Sequence, residues 1–265
     1  MLINRKKFSP KRYSSGELKF VKSEMNSFVK NGHVEILFEN EFSVFELLLV
    51  IEYYKKNSVK IDLILSYLPY QRMDHTGRDE LDTLNYVAKM FNDLELNSIT
   101  ICEPHCEIDC FENSKKFSYI DSVIKTVFDE IGFDEKNDYI VLTDKGGYKR
   151  YGHLGQNKAY FNKERDINTG LIIKQEIVGN IEKDKKVLIV DDIISTGDTI
   201  VNIVKYLSKK GIKDIYILSG HIENNKYNKR LEKSKYVKKI FSTNSLKKQG
   251  NDKLKLFDIR NIIYK

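Results

Sequence analysis

The sequence predicts an α/β protein of two domains with mainly parallel sheets. Short runs rich in Val, Ile and Leu recur along the chain, and stretches with apolar residues at helical spacing separate them. Polar segments carrying Gly, Asp and Thr fall at the ends of the apolar runs. Strands that alternate with helices need crossover connections, and these give parallel sheets covered on both faces. A length of 265 residues leaves room for one large or two ordinary domains.

Each element has its own signal. Arg12-Tyr13-Ser14-Ser15-Gly16-Glu17 reads as a turn-like cluster. Val34 to Phe38 is a strand, and Val44 to Tyr54 a helix with a nearly continuous apolar face. Val59 to Leu65 is a second strand, ending in the aromatic and charged loop Ser66 to His75, a place where function concentrates. Leu81 to Leu94 is helical, with apolar residues at Leu81, Leu84, Val87, Ala88 and Phe91. Asn97 to Cys102 is the third strand and ends in Glu103-Pro104-His105-Cys106.

A second α/β pass begins with a helix over Tyr119 to Ile131 and a strand over Tyr139 to Leu142, which ends in Thr143-Asp144-Lys145-Gly146-Gly147. Ala159 to Phe161 is a short strand opening into a polar excursion, Asn162 to Gly170, before Leu171 to Val178. Ile212 to Leu218 is a strand ending in Ser219-Gly220-His221; Tyr236 to Phe241 and Leu254 to Ile259 are late strand candidates. The domains are expected at 1–117 and 118–265, with the C-terminal segment a candidate to pack back on the first domain.

Composition narrows the function classes. Lys and Arg exceed Asp and Glu by seven, but the lysines are spread along the chain among glutamates, so phosphorylated substrates explain the excess more simply than nucleic acid. No apolar run approaches a membrane span and Met1 to Arg12 has no signal-peptide core, so a soluble, cytoplasmic protein is expected, without membrane or nucleic-acid partners. Cys102, Cys106 and Cys110 are three, which fits a reducing compartment. With His105 they suggest a metal cluster, yet the C-x2-C spacing of zinc sites is missing and packing cysteines are the commoner case.

The chain is organised around Lys186 to Thr199. Four apolar β-formers, Val187 to Val190, run into Asp191 and Asp192, then a Ser/Thr/Gly loop, then the helical pattern Ile200, Ile203, Val204, Leu207. Ligands of open α/β sheets bind beyond strand carboxyl ends, and amides at a helix N-terminus with nearby hydroxyls favour phosphate. The two carboxylates suit sugar hydroxyls beside it. The stretch therefore reads as a phosphorylated-sugar site, against a generic βα turn or a response-regulator-like acidic pocket.

Val190-Asp191-Asp192-Ile193-Ile194-Ser195-Thr196-Gly197-Asp198-Thr199 resembles the phosphoribosyl-binding loop of the phosphoribosyltransferase superfamily, which implies two phosphoribosyltransferase-type (Rossmann-like) domains. The other strand-end loops are similar to those of the ribose-phosphate diphosphokinases, or phosphoribosyl pyrophosphate synthetases. Tyr67 to His75 resembles an ATP-contacting segment in which Arg72 and Asp74 match while Met73 and His75 depart from Gln and Arg. Glu103-Pro104-His105 resembles the family's Asp-Leu-His, and Asp144 to Gly147 its Asp-x-Gly-Gly. Lys163-Glu164-Arg165 matches a Lys-x-Arg pair on a mobile arm, and Arg12 to Glu17 a segment that reaches a neighbouring subunit's ATP site. Ser15 and Tyr13 replace Asp and Phe there; Ser195 and Asp198 replace Asp and Gly in the central loop. The stretch before Val34 is shorter than usual. Taken singly, Lys163 and Arg165 are ordinary surface charges and Gly146-Gly147 an ordinary turn.

The resemblance implies a transfer of the β,γ-diphosphate of ATP to the anomeric hydroxyl of ribose 5-phosphate, with Mg²⁺, in the cleft between the domains of a homo-oligomer, a dimer or a hexamer of dimers. Lys163, Arg165 and His105 would be catalytic; Tyr13, Glu17, Arg72, Asp74 and His105 would bind ATP; His105 and Asp144 would associate with the metal. Gly146 and Gly147 would approach pyrophosphate. Asp191 and Asp192 would hold ribose hydroxyls, with Ser195, Thr196, Gly197, Asp198 and Thr199 around the 5-phosphate. Asp198 puts a carboxylate near a dianion, so ADP-ribose, with one charge per phosphorus, stays open as an acceptor serving NAD⁺ synthesis. A phosphoribosyltransferase would share the central loop alone, and an inactive regulatory subunit would lack His105, Asp144, Lys163 and Arg165, all present here. No Walker-type loop occurs, so ATP must be held otherwise.

Overall fold

The computed structural model describes residues 1–39, 43–74, 81–165, 172–225 and 229–265. The chain divides into two compact units, Met1–Ser118 and Tyr119–Lys265. The α/β class with mainly parallel sheets, expected from the sequence, is the class observed.

The first unit runs β1 (Leu2–Ile3), β2 (Lys6–Lys7), α1 (Lys22–Ser27), β3 (His33–Phe38), α2 (Val44–Lys56), β4 (Lys60–Leu65), α3 (Thr83–Asn92), β5 (Ser98–Cys102) and β6 (Ser114–Phe117). Among the described residues its sheet has the order β2-β1-β3-β4-β5-β6, parallel from β3 to β6 and antiparallel at β1. A capping box starts α2: Glu46 N–H donates to Ser43 Oγ at 3.2 Å and Ser43 N–H to Glu46 Oε2 at 2.9 Å, which satisfies two amides that the helix itself leaves unpaired. Leu47, Val50, Ile51 and Tyr54 then share the buried face, and the Tyr54 hydroxyl donates to the Met25 carbonyl at 2.9 Å.

The second unit runs α4 (Tyr119–Ile131), β7 (Tyr139–Leu142), α5 (Lys145–Tyr151), β8 (Asn157–Arg165), β9 (Ile172–Val178), β10 (Lys186–Ile194), α6 (Asp198–Lys209), β11 (Asp214–Ile222), α7 (Lys229–Lys233), β12 (Val237–Thr243), β13 (Leu254–Phe257) and α8 (Ile259–Ile263). Its sheet order is β13-β12-β11-β10-β7-β8-β9, parallel except for the β8–β9 pair. The central strand β10 is flanked by β7 and β11, which buries Val187 to Val190 completely. The C-terminal segment belongs to this unit, as its outer strand β13 and as α8, which meets α4.

Several boundaries differ from the sequence expectation for identifiable reasons. The central strand does not stop at the carboxylates; pairing with β11 continues to Ile194↔Ile222. Ser219 to His221 lie inside β11 and are buried, not exposed at its end. The short strand at Ala159 to Phe161 extends to Arg165, because β9 pairs with it antiparallel beyond the last β7 partner, Tyr160, and backbone bonds carry the charged residues. The last strand candidate ends at Phe257; Asp258 then caps α8, accepting from Arg260 N–H at 2.9 Å.

Candidate functional site: the β10–α6 loop

Ser195, Thr196 and Gly197 join β10 to α6, and the first two are held from the chain following β11. The Ser195 hydroxyl donates to Glu223 Oε2 at 2.8 Å, while Asn225 Nδ2 donates to the Ser195 carbonyl at 2.8 Å. Arg230 Nη2 donates to the Thr196 carbonyl at 3.0 Å and to Asp198 Oδ1 at 2.8 Å, and the Thr196 hydroxyl donates to Asp198 Oδ2 at 2.6 Å. Those two bonds, the Thr196 hydroxyl first and Arg230 second, hold the Asp198 carboxyl below its usual range. Gly197 takes φ +74°, a left-handed conformation that a Cβ would strain, and turns the chain directly into α6. Having no side chain, it cannot cap the helix, so the first-turn amides of α6 remain for an anion or water.

The carboxylates stand just before this loop in the strand. Successive strand residues face opposite sides, and the two take different partners. Asp191 Oδ1 accepts from the Thr143 hydroxyl at 2.8 Å and from the Asp192 N–H at 3.1 Å. Asp192, only 1% exposed, accepts from Arg150 Nη2 at 2.8 Å. Burial first and the Asp192 charge second push Asp191 well above the usual carboxylate range; the Thr143 bond offsets part of this, and Asp144 adds to it. Burial works against the Arg150 charge, but Asp192 together with Tyr151, Asp191 and Asp144 outweighs it and holds the guanidinium above its usual pKa. A sugar hydroxyl donating to Asp191 would relieve the crowding of negative charge.

Asp144 belongs to the same corner. It is the extended N-cap of α5, with Oδ1 accepting from Gly147 N–H at 2.8 Å. Gly146 and Gly147 therefore lie in the first turn of a helix, where the pair, taken singly, reads in the sequence as an ordinary turn. A Cβ at Gly146 would come within 3.3 Å of Asp144 Oδ1, so a side chain there would push the carboxylate by a few tenths of an ångström. Lys163 and Arg165 are in β8, their backbones paired with Gln175 and Ile172. Their side chains, and residues 166–171 of the expected arm, lie outside the described residues.

The remaining expected residues lie in the first unit. Arg72 is exposed and Asp74 half-buried, in the turn after β4; His75 lies outside the described residues. His105 is half-buried, and its N–H donates to Oε1 of the fully buried Gln71 at 2.8 Å, which ties its loop to the Arg72 loop. Burial pushes the nearby Cys106 thiol up to about 12, with Asp74 adding to it, and Cys106 packs in the core as a thiol. Tyr13 is exposed at the tip of a turn in which Tyr13 N–H donates to the Glu17 carbonyl at 2.9 Å. Glu17 Oε2 accepts from the Ser15 hydroxyl at 2.7 Å, and Arg12 Nη1 reaches Glu46 Oε1 at 2.6 Å.

Sequence reading missed Thr143, Arg150, Glu223, Asn225 and Arg230. Thr143 and Arg150 flank a quoted motif, and their place beside a strand end is a usable signal. The other three follow a strand 28 or more positions away in sequence from the loop they hold, and nothing local marks them.

A parallel sheet whose central strand carries paired carboxylates shortly before an uncapped helix N-terminus defines a class. The chain belongs to the phosphoribosyl transferase domain family, whose model matches residues 112–254. Among curated proteins it is similar to the ribose-phosphate pyrophosphokinase of Sulfolobus acidocaldarius, 27% identical over 209 residues, 76% of this chain and 70% of that one. That of Ureaplasma parvum is 29% identical over 236 residues, covering 84% of this chain and 71% of its own. In fold it is similar to the phosphoribosylpyrophosphate synthetase of Mycobacterium smegmatis, with a TM-score of 0.75 and 22% identity over 96% of this chain and 87% of that one.

Proposed function

We propose that the chain is an ATP-dependent diphosphokinase that converts ribose 5-phosphate to phosphoribosyl pyrophosphate and AMP. The observation that carries this reading is the β10–α6 connection: Asp191 and Asp192 in the last part of the strand, then a left-handed Gly197 opening a twelve-residue helix without a side-chain cap. The relatives named ribose-phosphate pyrophosphokinase support the reaction class.

The anomeric oxygen attacks the β-phosphorus of ATP, the bond from that phosphorus to the AMP oxygen breaks with its electron pair leaving on AMP, and the hydroxyl proton passes to solvent water. Alignment of the reactants and offset of charge on phosphate oxygens are the protein's share of the work. Asp191 accepts from ribose hydroxyls, while Thr196, Thr199 and the α6 amides take the 5-phosphate. Lys163 and Arg165 supply cationic charge to the transferring group, Arg as a planar fork and Lys as a point charge.

The donor chemistry fits Mg²⁺. Among the described residues no three His, Cys, Asp or Glu side chains group as a cation cage, which suits an ion that arrives with its nucleotide and needs one or two protein carboxylates. Asp144 is such an oxygen donor, and His105 suits a phosphate oxygen better than the ion itself. When bound, Mg²⁺ supplies charge neutralisation on the phosphates.

Purified chain incubated with ATP, Mg²⁺ and either ribose 5-phosphate or ADP-ribose, with products read by mass spectrometry, tests the proposal. AMP and phosphoribosyl pyrophosphate from ribose 5-phosphate are expected. A clear kcat/KM preference for ADP-ribose would replace the acceptor, and no AMP with either would refute diphosphoryl transfer.

A further inference from the structure

The inference concerns Asp198 and Arg230 and rests on the phosphate-binding reading of the β10–α6 loop. Asp198 opens α6 but caps nothing: one carboxylate oxygen accepts the Thr196 hydroxyl and the other accepts Arg230. Arg230 also holds the Thr196 carbonyl, so hydroxyl, carboxylate, guanidinium and carbonyl close a ring on the loop. A carboxylate and a phosphate seek the same donors, namely a hydroxyl, a guanidinium and the amides of a helix N-terminus. We infer that Asp198 is an intramolecular stand-in for the substrate's phosphate, holding Thr196 Oγ1 and Arg230 in the ligand-free loop and yielding them to a phosphate monoester. Arg230 is then a specificity-determining residue that passes from one anion to the other.

The plain alternative is an exposed ion pair in which Arg230 only masks the Asp198 charge. Their side chains are 46% and 60% exposed, so in isolation the pair is weak. The two readings predict opposite coupling. In the exchange reading, removing Arg230 costs both the free and the bound state, so the cost to binding is small while Asp198 is present and large once it is gone. In the masking reading, the cost is large with Asp198 present and vanishes without it.

Calorimetric titration of the full chain with inorganic phosphate and with ribose 5-phosphate, without ATP, separates them. Asp198→Asn is expected to tighten both by about tenfold, the scale of one charge-assisted hydrogen bond. Arg230→Ala should weaken binding only slightly in the native background, but by about tenfold in the Asp198→Asn background. No tightening in either Asp198→Asn or Asp198→Gly, or an Arg230→Ala penalty that disappears in those backgrounds, overturns the inference. Circular dichroism of each variant confirms that the comparison is between folded proteins. If native protein releases no AMP with ribose 5-phosphate while the coupling to inorganic phosphate holds, the proposed reaction fails and the exchange stands; AMP release without coupling gives the reverse.

Discussion

Arg150 Nη2 donates to Asp192 Oδ1 at 2.8 Å, and this bond sets a guanidinium against a carboxylate that the strand carries into the interior. Asp192 is 1% exposed, and a buried charge without a partner is costly. Arg150→Met should destabilise the fold by about 1–3 kcal/mol, the scale of one hydrogen bond to a charged group. Arg150→Met with Asp192→Asn should recover most of that loss. Urea denaturation of the single and double variants measures both; equal stability of Arg150→Met and native protein would show that the pair does not matter.

Asp191 gives a pH signature. Its folded pKa lies above the usual carboxylate value, so the folded state binds the proton more tightly than the unfolded chain. Its contribution to stability is present in full below the ordinary carboxylate pKa and is lost as pH rises through the raised value. Asp191→Asn should thus be more stable than native at neutral pH, with the gap closing toward acid. Thermal unfolding from pH 4 to 8 reads this, and a gap that widens toward acid would contradict it.

Lys163 and Arg165 lie at the described end of β8, their backbones held by the pairing with β9. Either one changed to Ala should lower kcat by roughly 10²–10³-fold, comparable to loss of a single oxyanion donor. KM for ATP should move much less. A loss carried wholly in KM would remove them from the transition state.

The Arg12 to Glu17 turn presents Tyr13 at 55% exposure on the surface of the first unit. If it completes a neighbour's ATP site, mixing Glu17→Ala with Lys163→Ala subunits should restore activity, because some hybrid sites hold both native residues. Light scattering should show at least a dimer. Confirmed mixed oligomers without recovered activity would count against a shared site.

How much of this was legible in the sequence depends on the distance over which the cause acts. The strand–loop–helix at Lys186 to Thr199 was, since apolar runs, helical period and the special backbone of Gly197 are local properties. So were the first-unit elements from Val34 to Cys102, where each amphipathic face announces its own burial. The length of β8 was not, because Asn162 to Arg165 become strand through pairing with β9 and not through their own preference. Nor was the state of the carboxylates: Asp191 and Asp192 are neighbours in sequence with identical side chains, yet one is crowded by negative charge while the other is answered by a guanidinium. The departures Ser195 and Asp198 were visible as letters, but their meaning came from Glu223, Asn225 and Arg230, delivered across the neighbouring strand. Sequence alone determined which backbone could turn from strand to helix through a left-handed glycine; the tertiary structure decided which charges that turn feels, because Coulomb interactions and desolvation depend on distances in space that chain order does not encode.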